Sequence, residues 1–131
     1  MKFVLLLYGD ETKWIGMSPE EAQQSVEVWN AYGQELTDAG VLVTGEALAP
    51  TTDATTVRLA ENDPMRTDGP FAETREQLGG FYVLDCKDID EAAGWAAKVP
   101  DLGEGGSVEV RPVVDWDAAS AETFGAETSA G

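Results

Sequence analysis

Two short segments constrain this chain more than anything else in it. Residues 3–8, Phe-Val-Leu-Leu-Leu-Tyr, place Phe3, Leu5 and Leu7 on one face of an extended strand and Val4, Leu6 and Tyr8 on the other. Phe81-Tyr82-Val83-Leu84 repeats the property. A strand that is apolar on both faces has to be covered on both, so these two segments predict the central strands of a sheet.

The elements around them follow from local signals. A loop carrying Trp14, Ile15 and Met17 is expected after the first strand. Ser18-Pro19-Glu20-Glu21 supplies an N-cap, a proline at the first helical position and the glutamate of a capping box, which starts a helix. Ala22, Val26, Trp29, Leu36 and Ala39 recur at helical spacing as its predicted buried stripe, Gly33 is read as a site of close packing, and Gly40 ends it. Residues 41–43 and 55–59 read as strands from their β-branched content, with a turn at 49–53 between them, and Pro64 to Thr67 forms a third short strand. Asp88-Ile89-Asp90-Glu91 caps a second helix that buries Ala92, Trp95, Ala96 and Val99 and stops at Pro100. The last strand, Ser107 to Val113, sets Val108 and Val110 against Glu109 and Arg111.

The resulting order is strand, helix, strand, an extra hairpin, strand, helix, strand: an α+β chain with the split βαβ pattern. Helices in that pattern cover one face of the sheet, whereas both central strands are apolar on two. A second copy packed sheet against sheet is the economical cover, and a homodimer is expected. The chain divides into a domain over 1–116 and a small, polar, acidic tail over 117–131, read as mobile.

Charge and residue counts remove whole classes of function. Eight Lys and Arg against 25 Asp and Glu give a net charge of -17, which disfavours binding to nucleic acid or to an anionic membrane. Between Trp14 and Val57 there is no basic residue at all, a negative surface whose simplest role is solubility. Cys86 is alone and there is no histidine, which excludes an intramolecular disulfide, histidine relays and Cys-rich or His-ligated metal sites. Cys86 reads as a small buried hydrophobe. The first apolar run is too short for a signal peptide or a membrane span, and a reducing, cytoplasmic setting is expected.

One stretch crowds many signals together: residues 67–80, Thr-Asp-Gly-Pro-Phe-Ala-Glu-Thr-Arg-Glu-Gln-Leu-Gly-Gly. Asp68-Gly69-Pro70 ends a strand abruptly, Phe71 reads as a buried plug for the loop, and residues 73–77 are long enough for one helical turn. Gly79-Gly80 within a strand predicts a bulge or the close approach of another group.

These segments together, residues 1–10, 67–86, 88–100 and 106–113, strongly resemble the YCII-related family, in particular its branch with the Asp-Gly-Pro-Phe motif, over roughly residues 1–114. The resemblance implies a ferredoxin-like fold assembled as a dimeric α+β barrel, with largely unknown activity. Relatives are often encoded beside extracytoplasmic-function sigma factors, which implies association with such a factor through the acidic helical face. Members of the wider family carry a histidine proposed to act with an aspartate, and many of this branch have one just before the final strand. Residues 101–106 here contain none, so that mechanism does not carry over.

The leading reading is a dimeric protein whose inter-sheet pocket binds a small organic molecule, anions included, without a cofactor or metal. The ligand-binding candidates are Tyr8, Phe71, Arg75, Tyr82 and Arg111. Arg75 either anchors a carboxylate by paired hydrogen bonds or forms a structural pair with Asp68, Glu73 or Glu76. Tyr8 and Tyr82 either present hydroxyls to the pocket or are core residues with one satisfied bond. The enzymatic alternative is a cofactor-free lyase or isomerase with Asp68 or Glu73 as base and Arg75 on an oxyanion. That alternative needs a carboxyl of raised pKa inside a cleft.

Overall fold

The computed structural model describes residues 1–119. Its main sheet has four strands: β1 (Lys2–Gly9), β2 (Leu42–Ala47), β5 (Gln77–Asp85) and β6 (Ser107–Pro112), in the order β2-β5-β1-β6 with every neighbouring pair antiparallel. β3 (Thr55–Ala60) and β4 (Asp63–Asp68) pair with each other in a separate two-stranded ribbon, and among the described residues with no other strand. The helices are α1 (Glu11–Ile15), α2 (Pro19–Asp38), α3 (Ile89–Ala96) and α4 (Trp116–Ala119). The order and pairing are those of an α+β, ferredoxin-like fold. β1 and β5 are the two central strands, as their two-sided apolar pattern requires.

The core lies on the face that carries the long helices. Phe3, Leu5 and Leu84 are fully buried and meet Tyr32 and Leu36 of α2 and Ala92 and Ala96 of α3. Register puts Val108 and Val110 on this face opposite Leu7 and Leu5, while Glu109 and Arg111 lie opposite Leu6 and Val4 on the other. Cys86 is buried in the same cluster, and burial pushes its thiol up to about 11.

Capping chemistry sets both long helices. Ser18 Oγ accepts from the Glu21 amide and the Glu21 carboxylate accepts from the Ser18 amide, a complete capping box. Asp88 does the first half of this for α3, accepting from the Glu91 amide. Ala39 caps the C-terminus of α2 and Gly40 follows it, with a φ of 73°, the left-handed value expected of a glycine there.

Several expectations are corrected. The stripe of α2 that faces inward is Ser25, Trp29, Tyr32 and Leu36, whereas Ala22, Val26 and Ala39 are exposed. The reason is aromatic: Trp29 packs edge-on to Tyr32 and Tyr32 edge-on to Tyr82, at 6.3 and 5.5 Å between ring centres, which rotates the helix onto those residues. Gly33 has open space where a side chain would point, so it serves no close packing. The segment carrying Trp14 and Ile15 is a helix where a loop was expected, because Asp10 caps α1 by accepting from the Thr12 amide and hydroxyl.

The loop after β4 departs most from its reading. Phe71 is 78% exposed and is no plug. Its carbonyl accepts from Arg58 Nη2 of β3, which lays the loop along the ribbon and away from the core. Residues 73–77 form no helical turn, because the Thr74 hydroxyl donates to the Glu76 carbonyl and the Gln77 side chain donates to the Thr74 carbonyl. Such local side-chain bonds compete directly with helix formation. The tail expected over 117–131 lies, beyond Ala119, outside the described residues.

Candidate functional site

A cleft of about 400 Å³ opens between the helix-bearing face of the sheet and the first half of α2. Its floor is low because the strands beneath it carry almost no side chains: Gly45 and Ala47 on β2, Gly79 and Gly80 on β5. Its walls are Trp14, Met17, Trp29 and Tyr82, and Ser25 and Asp101 add polar groups.

Glycine is required at three of these positions for a steric reason. A β-carbon at Gly79 would overlap the Trp14 ring, and one at Gly45 would come within 2.5 Å of Tyr82 Cδ1. At Gly80 it would meet the Glu46 carbonyl oxygen at 2.8 Å. The missing side chains thus let two aromatic rings lie against bare backbone. Gly79 is also where the β1–β5 register slips: Leu7 pairs with Gly80 and Tyr8 with Leu78, so Gly79 is the extra residue of a bulge. Both outcomes expected of the Gly79-Gly80 pair, a bulge and a close approach, are present.

Asp101 is the polar group with the most chemistry. It sits in a short 3-10 segment, Pro100–Glu104, that leads into β6, and it is half-buried. Glycines cradle its carboxylate: a β-carbon at Gly106 would lie 2.8 Å from its carboxyl carbon, and one at Gly9 would lie 3.6 Å from Oδ2 and 3.0 Å from the Trp14 ring. The carboxylate and the indole therefore approach the same point above the end of β1. Burial raises the Asp101 pKa above the usual carboxylate value, its own backbone amide pulls the other way, and the charge of Glu104 adds to the rise. Among the described residues no Lys or Arg pairs with it.

A second hollow of about 260 Å³ adjoins the first and shares Met17, Ser25, Trp29 and Asp101 with it. It adds Glu21 and Glu104. Lys13, on α1, donates from Nζ to the Glu104 carbonyl and contributes to the lining of neither hollow. Burial also raises the pKa of Tyr82 and that of Tyr32, whose hydroxyl donates to the Trp95 carbonyl at 2.8 Å. Among the described residues no three His, Cys, Asp or Glu side chains gather as a metal site.

The structure does not bring the sequence candidates together. Tyr82 alone of them lines the cleft. Tyr8 and Arg111 lie on the opposite face of the sheet, where Arg111 is 3.9 Å from Glu109 in an exposed pair. Asp68, Phe71, Glu73 and Arg75 are exposed on β4 and the loop that follows it, and among the described residues Arg75 forms no ion pair with its acidic neighbours. Trp14, Trp29 and Asp101 were missed as site residues. A topological signal pointed to Asp101: β6 runs antiparallel beside β1, so the segment before β6 must sit at the end of β1, beside Gly9 and α1.

Comparison with known proteins gives a family and leaves its activity open. The chain is 39% identical over 114 residues to an uncharacterised protein of Rhizobium meliloti (strain 1021), a match that covers 86% of this chain and 92% of the relative. The family model for the YCII-related domain matches residues 1–117, a span that includes both central strands, the cleft and Asp101. On both grounds, the chain belongs to the YCII-related family.

Proposed function

We propose that this protein binds a small organic molecule in the cleft between the sheet and α2. The observation that carries the reading is a cleft of about 400 Å³ that combines Trp14, Trp29 and Tyr82 with one half-buried carboxylate, Asp101. Size, aromatic lining and a small number of placed polar groups are the common properties of ligand sites. Among the described residues the lining contains no Lys or Arg, so an anionic ligand would have no cationic partner there.

A cofactor-free enzyme is the second reading, and the raised pKa of Asp101 supports it. A carboxyl that keeps its proton to higher pH inside a cleft is what general acid or base catalysis requires. In this reading Asp101 takes the part that Asp68 and Glu73 were expected to play. A homodimer belongs to the same proposal: Val4, Leu6, Phe81 and Val83 lie on the sheet face turned away from the helices, and a second copy would cover them. A monomer by light scattering at micromolar concentration would rule the dimer out. A cytoplasmic setting suits the buried free thiol of Cys86.

The test is a thermal-shift screen of small molecules run in parallel on wild type, Ser25→Phe and Arg75→Ala. Ser25→Phe fills the cleft, so hits are expected to lose their effect on that variant and to keep it on Arg75→Ala. The reverse pattern would move the ligand to the exposed loop.

A further inference from the structure

We infer that the ligand of this cleft is an organic cation, a protonated or quaternary amine carried on an apolar body. The inference rests on the binding reading above and adds the charge of the ligand. Three observations point the same way. The walls are electron-rich rings, Trp14, Trp29 and Tyr82, and the face of an aromatic ring attracts a cation, most strongly for tryptophan. The carboxylate of Asp101 approaches the Trp14 ring above Gly9, and among the described residues it has no cationic partner. The adjoining hollow, which shares Asp101 with the cleft, is lined by Glu21 and Glu104, in a chain of net charge -17.

Each alternative charge fares worse on the same geometry. An anion would enter a negative field toward a carboxylate that, among the described residues, has no ion-pair partner and no basic side chain beside it in the lining. A neutral ligand can donate a hydrogen bond to Asp101 but leaves its half-buried charge without a counter-ion. A cation supplies what the carboxylate lacks, and its apolar body fills the cleft of about 400 Å³ between the aromatic walls.

The full chain is titrated, with tryptophan fluorescence and calorimetry as readouts, against three probes of similar shape. These are benzyltrimethylammonium, its carbon isostere neopentylbenzene, and phenylacetate. The same titrations are run on Asp101→Asn and on Glu109→Gln, which removes one charge from the opposite face of the sheet. The expected result is that the ammonium probe binds at least about tenfold more tightly than the isostere, a difference of about 1.4 kcal/mol. That preference should vanish in Asp101→Asn and persist in Glu109→Gln. Equal binding of the ammonium and its isostere overturns this inference while leaving the cleft as a ligand site. Equal loss in both variants assigns the attraction to diffuse charge and also overturns it. Absence of fluorescence change with any of the three probes counts against the cleft reading itself.

Discussion

The carboxylate of Glu11 holds Thr51, forty residues further along the chain, with both of its oxygens. Oε2 accepts from the Thr51 amide at 2.9 Å and Oε1 from its hydroxyl. Glu11 is only 9% exposed, and its own amide donates to Gln77 Oε1 at 3.0 Å. This junction fixes the start of the β3–β4 ribbon to the end of β1 and to the first residue of β5, beside the cleft. Glu11→Ala is expected to destabilise the protein by about 1–3 kcal/mol, because it leaves the Thr51 amide without its acceptor. Glu11→Gln, which keeps an acceptor oxygen, is expected to lose less. Urea denaturation of both variants checks the order.

Two glycine substitutions are expected to act in opposite directions. Gly79→Ala forces a methyl group into the Trp14 ring and should cost about 1–3 kcal/mol, with a change in tryptophan emission as the ring is displaced. Gly33→Ala adds a methyl group to open space within α2 and should stabilise by about 0.5–1 kcal/mol. Melting curves of the pair, with emission spectra, test both.

The raised pKa of Asp101 carries a pH signature whose sign is fixed. A carboxyl whose folded pKa lies above its unfolded value binds protons more tightly when folded, so it costs the fold nothing at low pH. The cost grows as pH rises from the unfolded value, about 3.9, through the folded one, and is complete above it. Asp101→Asn should therefore raise the melting temperature at pH 7, and the gain should shrink toward zero as pH falls below that window.

The hydroxyl of Tyr32 donates to the Trp95 carbonyl, which also accepts from the Lys98 amide at 3.1 Å. Tyr32→Phe leaves that carbonyl with one partner, so the loss should stay near about 1 kcal/mol. A larger loss in denaturant titration would mean that the ring contacts with Trp29 and Tyr82 depend on the hydroxyl.

Added salt should stabilise the chain. Its net charge of -17 opposes compaction, and raising ionic strength from about 0.01 M to about 0.15 M shortens the screening length to about 8 Å. A melting temperature that rises by a few degrees over that range is expected, and a flat or falling one would show that self-repulsion is unimportant here.

Features written in a few consecutive residues were legible from sequence. The Ser18–Glu21 box, the Asp88 cap, the left-handed Gly40 and the two-sided apolar strands each depend on neighbours within a turn or a strand. Their order was enough to give the ferredoxin-like topology. The inward stripe of α2 was not legible, because it is decided by Tyr82, fifty residues from Tyr32, and not by the hydrophobicity of Ala22 and Val26. The same holds for Glu11, which looks like any surface glutamate until Thr51 is beside it. Asp101 stood in a segment read only for its lack of histidine, and its cradle of Gly9 and Gly106 exists only once β1 and β6 are paired. The motif at 67–80 drew attention to an exposed loop, while the part of it that shapes the cleft is its last two glycines.

The bare floor of the cleft has a consequence for how such a site is found by experiment. Alanine scanning locates sites by deleting atoms, and it skips or misreads positions where the working feature is an atom already absent. At Gly45, Gly79 and Gly80 a change to alanine adds bulk, so loss of function there would be scored as a folding defect. Mapping this protein calls for the opposite experiment, in which side chains of graded size are introduced at the cleft-lining positions of β2 and β5 and the displacement of Trp14 and Tyr82 from the backbone is followed.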